Sequence, residues 1–268
     1  MHDVIIVGAG PAGNMAAQRI AQSGYDVVVL DRRNNLGDKL CTGIIGRECI
    51  ERYPPEQKDV VHEARSATLI TPSGKRHHVA NGDPQAFVIN RVAFVASIAN
   101  KAQEAGATYE IGEYVQNIQH SPKGVAVHTR THSSSRTYHG KMVVIASGSG
   151  SALVRMAGLT GRGRSDYMMG CQTKVIAGQL EDTEVYLGDS IAPGSFGWLV
   201  PLSEGYALAG MASRHKLNGH MNNFLSELKT QGKIKSMVSE PKRWSIPIKP
   251  LNRTYRDRVL VSGDSAGF

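Results

Sequence analysis

The first thirty-one residues constrain this chain more than any other stretch. Asp3-Val4-Ile5-Ile6-Val7 is an apolar strand-type run that leads directly into Gly8-Ala9-Gly10-Pro11-Ala12-Gly13. The pattern then predicts a helix from about Asn14 to Ser23 and a second apolar run, Val27-Val28-Val29-Leu30, that ends on Asp31. Strand, GxGxxG, helix, strand and acid in that order form a dinucleotide-binding fingerprint in the context that gives it meaning. Gly8 is placed for the tight turn, Gly10 for backbone approach to a pyrophosphate, and Gly13 for close helix–strand packing. The helix N-terminus offers unpaired N–H groups and a positive dipole end to the phosphates. Asp31, eighteen residues beyond Gly13, is placed to accept hydrogen bonds from a ribose diol.

At 268 residues the chain can bury a sizeable core, as one large domain or two smaller ones. Hydrophobic content of 41% and charged content of 20% fit a soluble globular protein. No apolar run approaches the ~18 residues needed to cross a bilayer. The first strand begins almost at once, so no signal peptide is expected. Cys41, Cys49 and Cys171 form no CxxC pair, so a reduced, cytoplasmic setting is expected. The net charge of +8 points to anionic partners (cofactor phosphates, a phosphorylated substrate or an acidic membrane surface) or to a solvated surplus of Lys and Arg. The basic residues are scattered and not interleaved with aromatics, so nucleic acid is not an expected partner. No metal site is expected, because His128 and His132 lie on a strand-like stretch and no HExxH exists.

Further along, Ala67–Thr71 and Arg76–Val79 read as a strand pair turning at Pro72-Ser73-Gly74, and Phe87–Ile89 as another short strand. Val92, Val95, Ala96, Ala99 and Ala102 recur at helical spacing from Arg91 to Ala105, with Gly106 as the stop. Tyr114–His120, Val125–Thr131 and Thr137–Ile145 read as a β-meander. Met168–Ser213 is strand-rich, a helix is expected at Met221–Thr230, and Arg258–Ser262 reads as a closing strand that runs into Gly263-Asp264-Ser265-Ala266-Gly267-Phe268. A strand followed by G-D-x-A-G calls for a helix after it, so a longer C-terminus is expected.

Five ordered segments now stand out. They are Gly8–Gly13 with Asp31; Lys39-Leu40-Cys41-Thr42-Gly43; Val88-Ile89-Asn90-Arg91; Pro193 to Pro201, a P-G-x-x-G-W-x-x-P stretch; and Gly263–Gly267. Together they resemble the FAD-dependent geranylgeranyl reductase family, inside the group of flavoproteins built like p-hydroxybenzoate hydroxylase. The Gly-Asp box favours FAD over NAD, since Asp264 at a strand end can accept from a ribityl chain. The resemblance implies FAD contacts at Ala12, Asp31, Cys41, Thr42, Arg91, Val115 (through its backbone) and Asp264. Gly8, Gly10, Pro11, Gly13, Arg32 and Gly263 complete the expected cofactor set. It also implies that Phe196, Trp198 and Pro201 wall a long apolar substrate, and it places Cys41 beside the flavin ring as a thiol that positions substrate or assists proton delivery.

Plainer readings remain beside these. Cys41 also reads as a small apolar filler, Arg91 as an exposed first-turn residue, Asp264 as an N-cap, and Trp198 as ordinary strand packing. Two departures from the family pattern are visible: Ser147-Gly148-Ser149-Gly150 stands where relatives often carry an acid before glycine, and Asn90 replaces an acid common before the arginine.

The expected architecture is α/β: an FAD-binding Rossmann-like domain with a β-meander, interleaved with a mainly antiparallel substrate-domain sheet. The FAD part is expected to gather Met1–Arg65, Asp83–Leu159 and Leu251–Phe268, and the substrate part Ser66–Gly82 and Thr160–Pro250. The implied activity is reduction of carbon–carbon double bonds in an isoprenoid lipid or prenyl diphosphate, with an external NAD(P)H or ferredoxin-type electron donor and peripheral membrane association. Two other readings are an FAD-dependent monooxygenase or halogenase on the same scaffold, and an inactive fragment of such a flavoprotein. The halogenase form is disfavoured, because Gly197-Trp198-Leu199-Val200-Pro201 does not reproduce its W-x-W-x-I-P stretch.

Overall fold

Alternation of apolar side chains builds the first sheet from both sides. In the computed structural model, Val4 and Ile6 face one core cluster with Val27 and Val29, whereas Ile5 and Val7 face another with Val28 and Leu30. Such strands, buried on both faces, are the mark of a parallel sheet. Each fully buried aliphatic side chain contributes roughly 1.5–3 kcal/mol. The structure describes every residue except Leu40, Ser151, 160–165 and Asn218. Leu40 of the cysteine segment and the expected start of the second substrate segment at Thr160 therefore lie outside the described residues.

The chain forms two compact units. The first comprises Met1–Asp38, Val92–Asp166 and Pro247–Phe268. Its parallel strands run in the order Val259–Val261, Ser135–Ile145, His2–Val7, Val27–Asp31 and Thr108–Ile111. The meander forms as expected: Tyr114–Ser121 and Gly124–Arg130 continue antiparallel from the N-terminal half of Ser135–Ile145.

The fingerprint helix spans Pro11–Gln22 and so begins three residues before the sequence reading placed it. Pro11 explains the difference, since its fixed φ and missing N–H suit the first helical turn. The helix Arg91–Glu104 also turns out differently from its apolar stripe. Val92 is exposed, and Phe94, Val95, Ile98, Ala99 and Ala102 form the buried face. The large side chains at Phe94 and Ile98 set the rotation of that helix.

The second unit comprises Lys39–Arg91 and Tyr167–Ile246. Its main sheet runs Ile234–Met237, Tyr167–Ala177, Tyr206–Ser213, Phe196–Pro201, Thr183–Leu187, Ser66–Ile70 and Arg76–Ala80. All neighbours on this path are antiparallel except Thr183–Leu187 and Ser66–Ile70. One face packs on the helix His220–Thr230 through Phe224, Leu225 and Leu228. The other gathers Val88, Trp198, Val200 and Ala212, with Trp244 and Ile246 packed against them. A small sheet of Ile44–Gly46, Ala86–Ile89 and Val60–Ala64 completes the unit. The compact units thus divide the chain differently from the functional division expected above: 39–65 and 83–91 fall with the antiparallel sheet, because Ile44, Val61 and Val88 pack into the Trp198 cluster.

Candidate functional site

In the first unit, the strands carry the fingerprint residues to a single edge, the C-terminal ends of a parallel sheet, where open α/β sheets bind ligands. Gly8 leaves the first strand with φ +110°, a conformation L side chains rarely adopt, and its N–H donates to Leu30 O at 2.7 Å. Asn14 N donating to Gly10 O starts the helix, which leaves the N–H groups of Ala12 and Gly13 without an intrahelical acceptor. Gly10 caps that helix with no side-chain hydrogen bond, and its first turn holds no acid. A Cβ built on Gly10 would meet nothing within 4 Å, so the space in front of the helix is open.

Asp31 closes the other side of this cradle. It is buried, its Oδ2 accepts from Ala9 N at 2.8 Å, and its Oδ1 accepts from Arg33 N at 2.8 Å. Each carboxylate oxygen has two acceptor positions; the second on Oδ1 is shared with the Arg33 guanidinium, whose Nη1 lies 3.8 Å away, and the second on Oδ2 stays available for a ribose hydroxyl. Arg32, next in the chain, is exposed.

The Gly-Asp box joins the same edge. The strand Val259–Val261 runs into a short 3-10 turn, Gly263–Ser265, capped at Ser262, so Asp264 lies in the turn and is not its N-cap. A Cβ on Gly263 would come within 2.8 Å of Ala12 Cβ, which sets this turn against the helix N-terminus. Ser265 Oγ donates to Gly148 O at 3.0 Å and lies 3.4 Å from Ser147 Oγ, so the serine-glycine segment that lacks the family acid is tied to the box. Val115 lies buried in the meander opposite Thr129.

Sequence reasoning missed Asn14. It is fully buried, its Nδ2 donates to Ala9 O at 3.2 Å and Val95 O at 3.3 Å, and its Oδ1 accepts from Tyr109 Oη at 3.0 Å. Burial pushes the Tyr109 phenol upward and keeps it protonated as that donor. Asn14 therefore staples the glycine loop to two neighbouring elements. Only its position directly after the third glycine hinted at this.

The second unit gathers the other candidates. Arg91 Nη1 donates to Lys39 O at 2.8 Å, Ile89 N donates to Gly43 O at 3.0 Å, and Thr42 Oγ1 accepts from Ile44 N at 3.3 Å. These bonds hold the cysteine segment. Arg91 is half-buried and not an exposed first-turn residue. Cys41 is exposed, so it is not an apolar filler, whereas Cys171 is buried, and burial pushes its thiol up against the opposing pull of Arg243. All three cysteines are free.

Trp198 is buried, 6.0 Å from the half-exposed Phe196 ring and 6.4 Å from Trp244, both edge-on; Pro201 ends the strand, half-buried. A Cβ on Gly210 would sit 2.5 Å from indole atoms Cε2 and Cζ2, so the ring lies flat on that glycine. Gly210→Ala is therefore expected to lift the indole, weaken the near-ultraviolet aromatic signal and destabilise the protein by about 1–3 kcal/mol. An unchanged aromatic spectrum and melting point would contradict this stacking.

Among the described residues no helix is long and apolar enough to cross a membrane, and no group of three or more His, Cys, Asp or Glu could hold a metal ion.

Against known proteins, a family model described as pyridine nucleotide-disulphide oxidoreductase matches residues 2–182. A digeranylgeranylglycerophospholipid reductase of Methanosphaera stadtmanae is 28% identical over 283 residues, covering 99% of this chain and 71% of that protein. Among solved structures, a geranylgeranyl bacteriochlorophyll reductase-like protein from Thermoplasma acidophilum superposes with a TM-score of 0.89 at 24% identity. The match covers 99% of this chain and 71% of that one. The same fold is found in p-nitrophenol 4-monooxygenase from Pseudomonas putida, at a TM-score of 0.77 and 14% identity, over 99% of this chain and 73% of that one.

Proposed function

The chain belongs to the pyridine nucleotide-disulphide oxidoreductase family, and from that premise we propose that it is an FAD-dependent reductase of prenyl-lipid double bonds. The observation that carries the cofactor half is the cradle: an uncapped helix N-terminus facing open space at Gly10, beside a buried Asp31 with an acceptor position to spare. The substrate half is supported by relatives whose names specify digeranylgeranylglycerophospholipid reduction.

Bound FAD would supply the hydride for one alkene carbon, its electrons coming from an external NAD(P)H- or ferredoxin-type donor. The chain's own residues do the rest. Gly8, Gly10, Pro11, Ala12 and Gly13 present backbone and helix dipole to the pyrophosphate. Asp31, with Arg32 beside it, accepts from the adenosine ribose. Gly263 and Asp264 hold the ribityl end, and Thr42, Arg91 and the Val115 backbone complete the contacts. Cys41 holds a proton at Sγ for the second alkene carbon. Trp198, Phe196 and Pro201 line an apolar wall that orients the isoprenoid chain and excludes water. An isoprenoid diphosphate or a phospholipid head group would suit the basic balance of the chain, as would a peripheral position on an anionic membrane.

The test is an anaerobic assay of the FAD-loaded protein, reduced with dithionite, on a digeranylgeranyl glycerophospholipid. Mass spectrometry should show one H2 gained per double bond. No gain with any prenyl lipid removes the reading. Oxygen consumption with hydroxylated or halogenated product in the same preparation would favour the monooxygenase alternative instead.

A further inference from the structure

We propose that Gln172 is the positioning residue that couples the tryptophan wall to the cysteine segment, so that Cys41 is held in fixed relation to Trp198. The proposal rests on the reductase reading for its chemistry and on the geometry of the second unit for its substance. Gln172 is buried at 4% exposure on the strand Tyr167–Ala177. Its Oε1 accepts from Trp198 Nε1 at 3.1 Å, and its Nε2 donates to Cys41 O at 3.4 Å. The register explains the reach: Trp198 lies opposite Gly210, and Gly210 lies opposite Gln172, on three neighbouring strands. Crossing the middle strand spans about 10 Å, two inter-strand spacings, and only a residue without a side chain lets the indole lie across it.

The amide orientation follows from the partners. An indole N–H only donates, and a backbone carbonyl only accepts, so Oε1 must face Trp198 and Nε2 must face Cys41. Val88, Val200 and Ala212 share this cluster and are apolar. A leucine of similar volume would fit there without the cost of a buried amide, so the amide is explained by what its two ends connect. An exposed thiol that must protonate one alkene carbon needs fixed placement, and an error of about 1 Å in such placement costs on the order of 100-fold in rate.

Two variants of the FAD-loaded full chain separate the two ends. Gln172→Glu keeps an acceptor for Trp198 Nε1 and, at a pH high enough to ionise a carboxyl that burial pushes up, cannot donate to Cys41 O. Tryptophan emission and KM for the prenyl lipid should stay as in the wild type, while kcat falls about tenfold. Iodoacetamide labelling of Cys41, followed by peptide mass spectrometry, should run roughly threefold faster as the segment loosens. Gln172→Leu removes both ends and should also shift the emission and raise KM. If Gln172→Leu does not fold, Gln172→Glu decides alone. Labelling of Gln172→Glu at the wild-type rate, or faster labelling with kcat unchanged, overturns the proposal. Should the wild type reduce no prenyl lipid, the reductase reading fails separately, and the labelling ratio still decides whether the two sites are coupled.

Discussion

Gly13→Ala should leave the protein colourless after desalting, with affinity for added FAD weakened by at least about 100-fold, equivalent to about 2.7 kcal/mol. A Cβ at this position would lie far closer to Gly8 O than real side-chain carbons come to an oxygen, with Gly8 C at 3.1 Å behind it. Neither atom can swing away as a flexible side chain would. Gly8 is held by its bond to Leu30 O and by its own positive φ, and the helix is held by Asn14. Relief therefore requires helix and strand to separate, which costs about 1–3 kcal/mol for an overpacked site and moves the free N–H groups off the phosphate position. Gly10→Ala is the control that separates folding from binding. Gly10 has φ −80°, which alanine adopts freely, and its Cβ would meet no protein atom. That variant should melt like the wild type yet bind FAD poorly, because its methyl occupies the space expected for the pyrophosphate. If Gly13→Ala retains flavin at wild-type affinity, the cradle does not hold the cofactor.

These two glycines show what a sequence can disclose. The fingerprint is local: its turn, helix and acid fall within thirty-one residues, and each has a reason that depends on near neighbours. The parallel sheet follows from unbroken apolar runs such as Val27–Leu30, and the meander from alternation and turn residues. The row from Trp198 to Gln172 to Cys41 was illegible for the opposite reason. Its members lie 26 and 131 positions apart; strand pairing across Gly210 brings Trp198 to Gln172, and the non-strand cysteine segment folds back to bring Cys41 O. Nothing in the neighbourhood of Gln172 marks it as different from any polar residue on a strand. Arg91 was legible as a residue of interest but not as the donor to Lys39 O, since that bond depends on how the cysteine segment folds back. The same limit applies to how the chain divides into units, which depends on which cluster Ile44 and Val88 join, not on where the composition changes.

Replacing Glu184 should cost more stability than any other single change to a charged side chain in the second unit. Its side chain is 3% exposed on the strand Thr183–Leu187; Oε1 sits 2.7 Å from Arg76 Nη2 and 2.9 Å from Lys233 Nζ, and Oε2 accepts from Tyr186 Oη at 2.5 Å. Glu184→Ala leaves Lys233 and the Tyr186 hydroxyl without this acceptor, and breaking a buried pair from one side costs about 3–5 kcal/mol. Arg76 is half-exposed and can turn to water, which favours the lower end of that range. Glu184→Gln preserves shape but loses the charge and turns one acceptor oxygen into a donor, so it should fall between the wild type and Glu184→Ala. The acid limb of stability separates charge from packing. Burial pushes the Glu184 carboxyl up, but hydrogen bonds from Tyr186, Arg76 and Lys233 outweigh it and hold the group below its ordinary value of 4.5. The folded state therefore binds this proton less readily than the unfolded chain does, so the stabilisation is present at neutral pH and lost as pH falls below about 4.5 through the folded value. Urea midpoints measured from pH 7 downward should drop more steeply for the wild type than for Glu184→Gln, and the two should converge in acid. Parallel curves would mean that the carboxylate's charge contributes nothing and that Glu184 acts by packing alone.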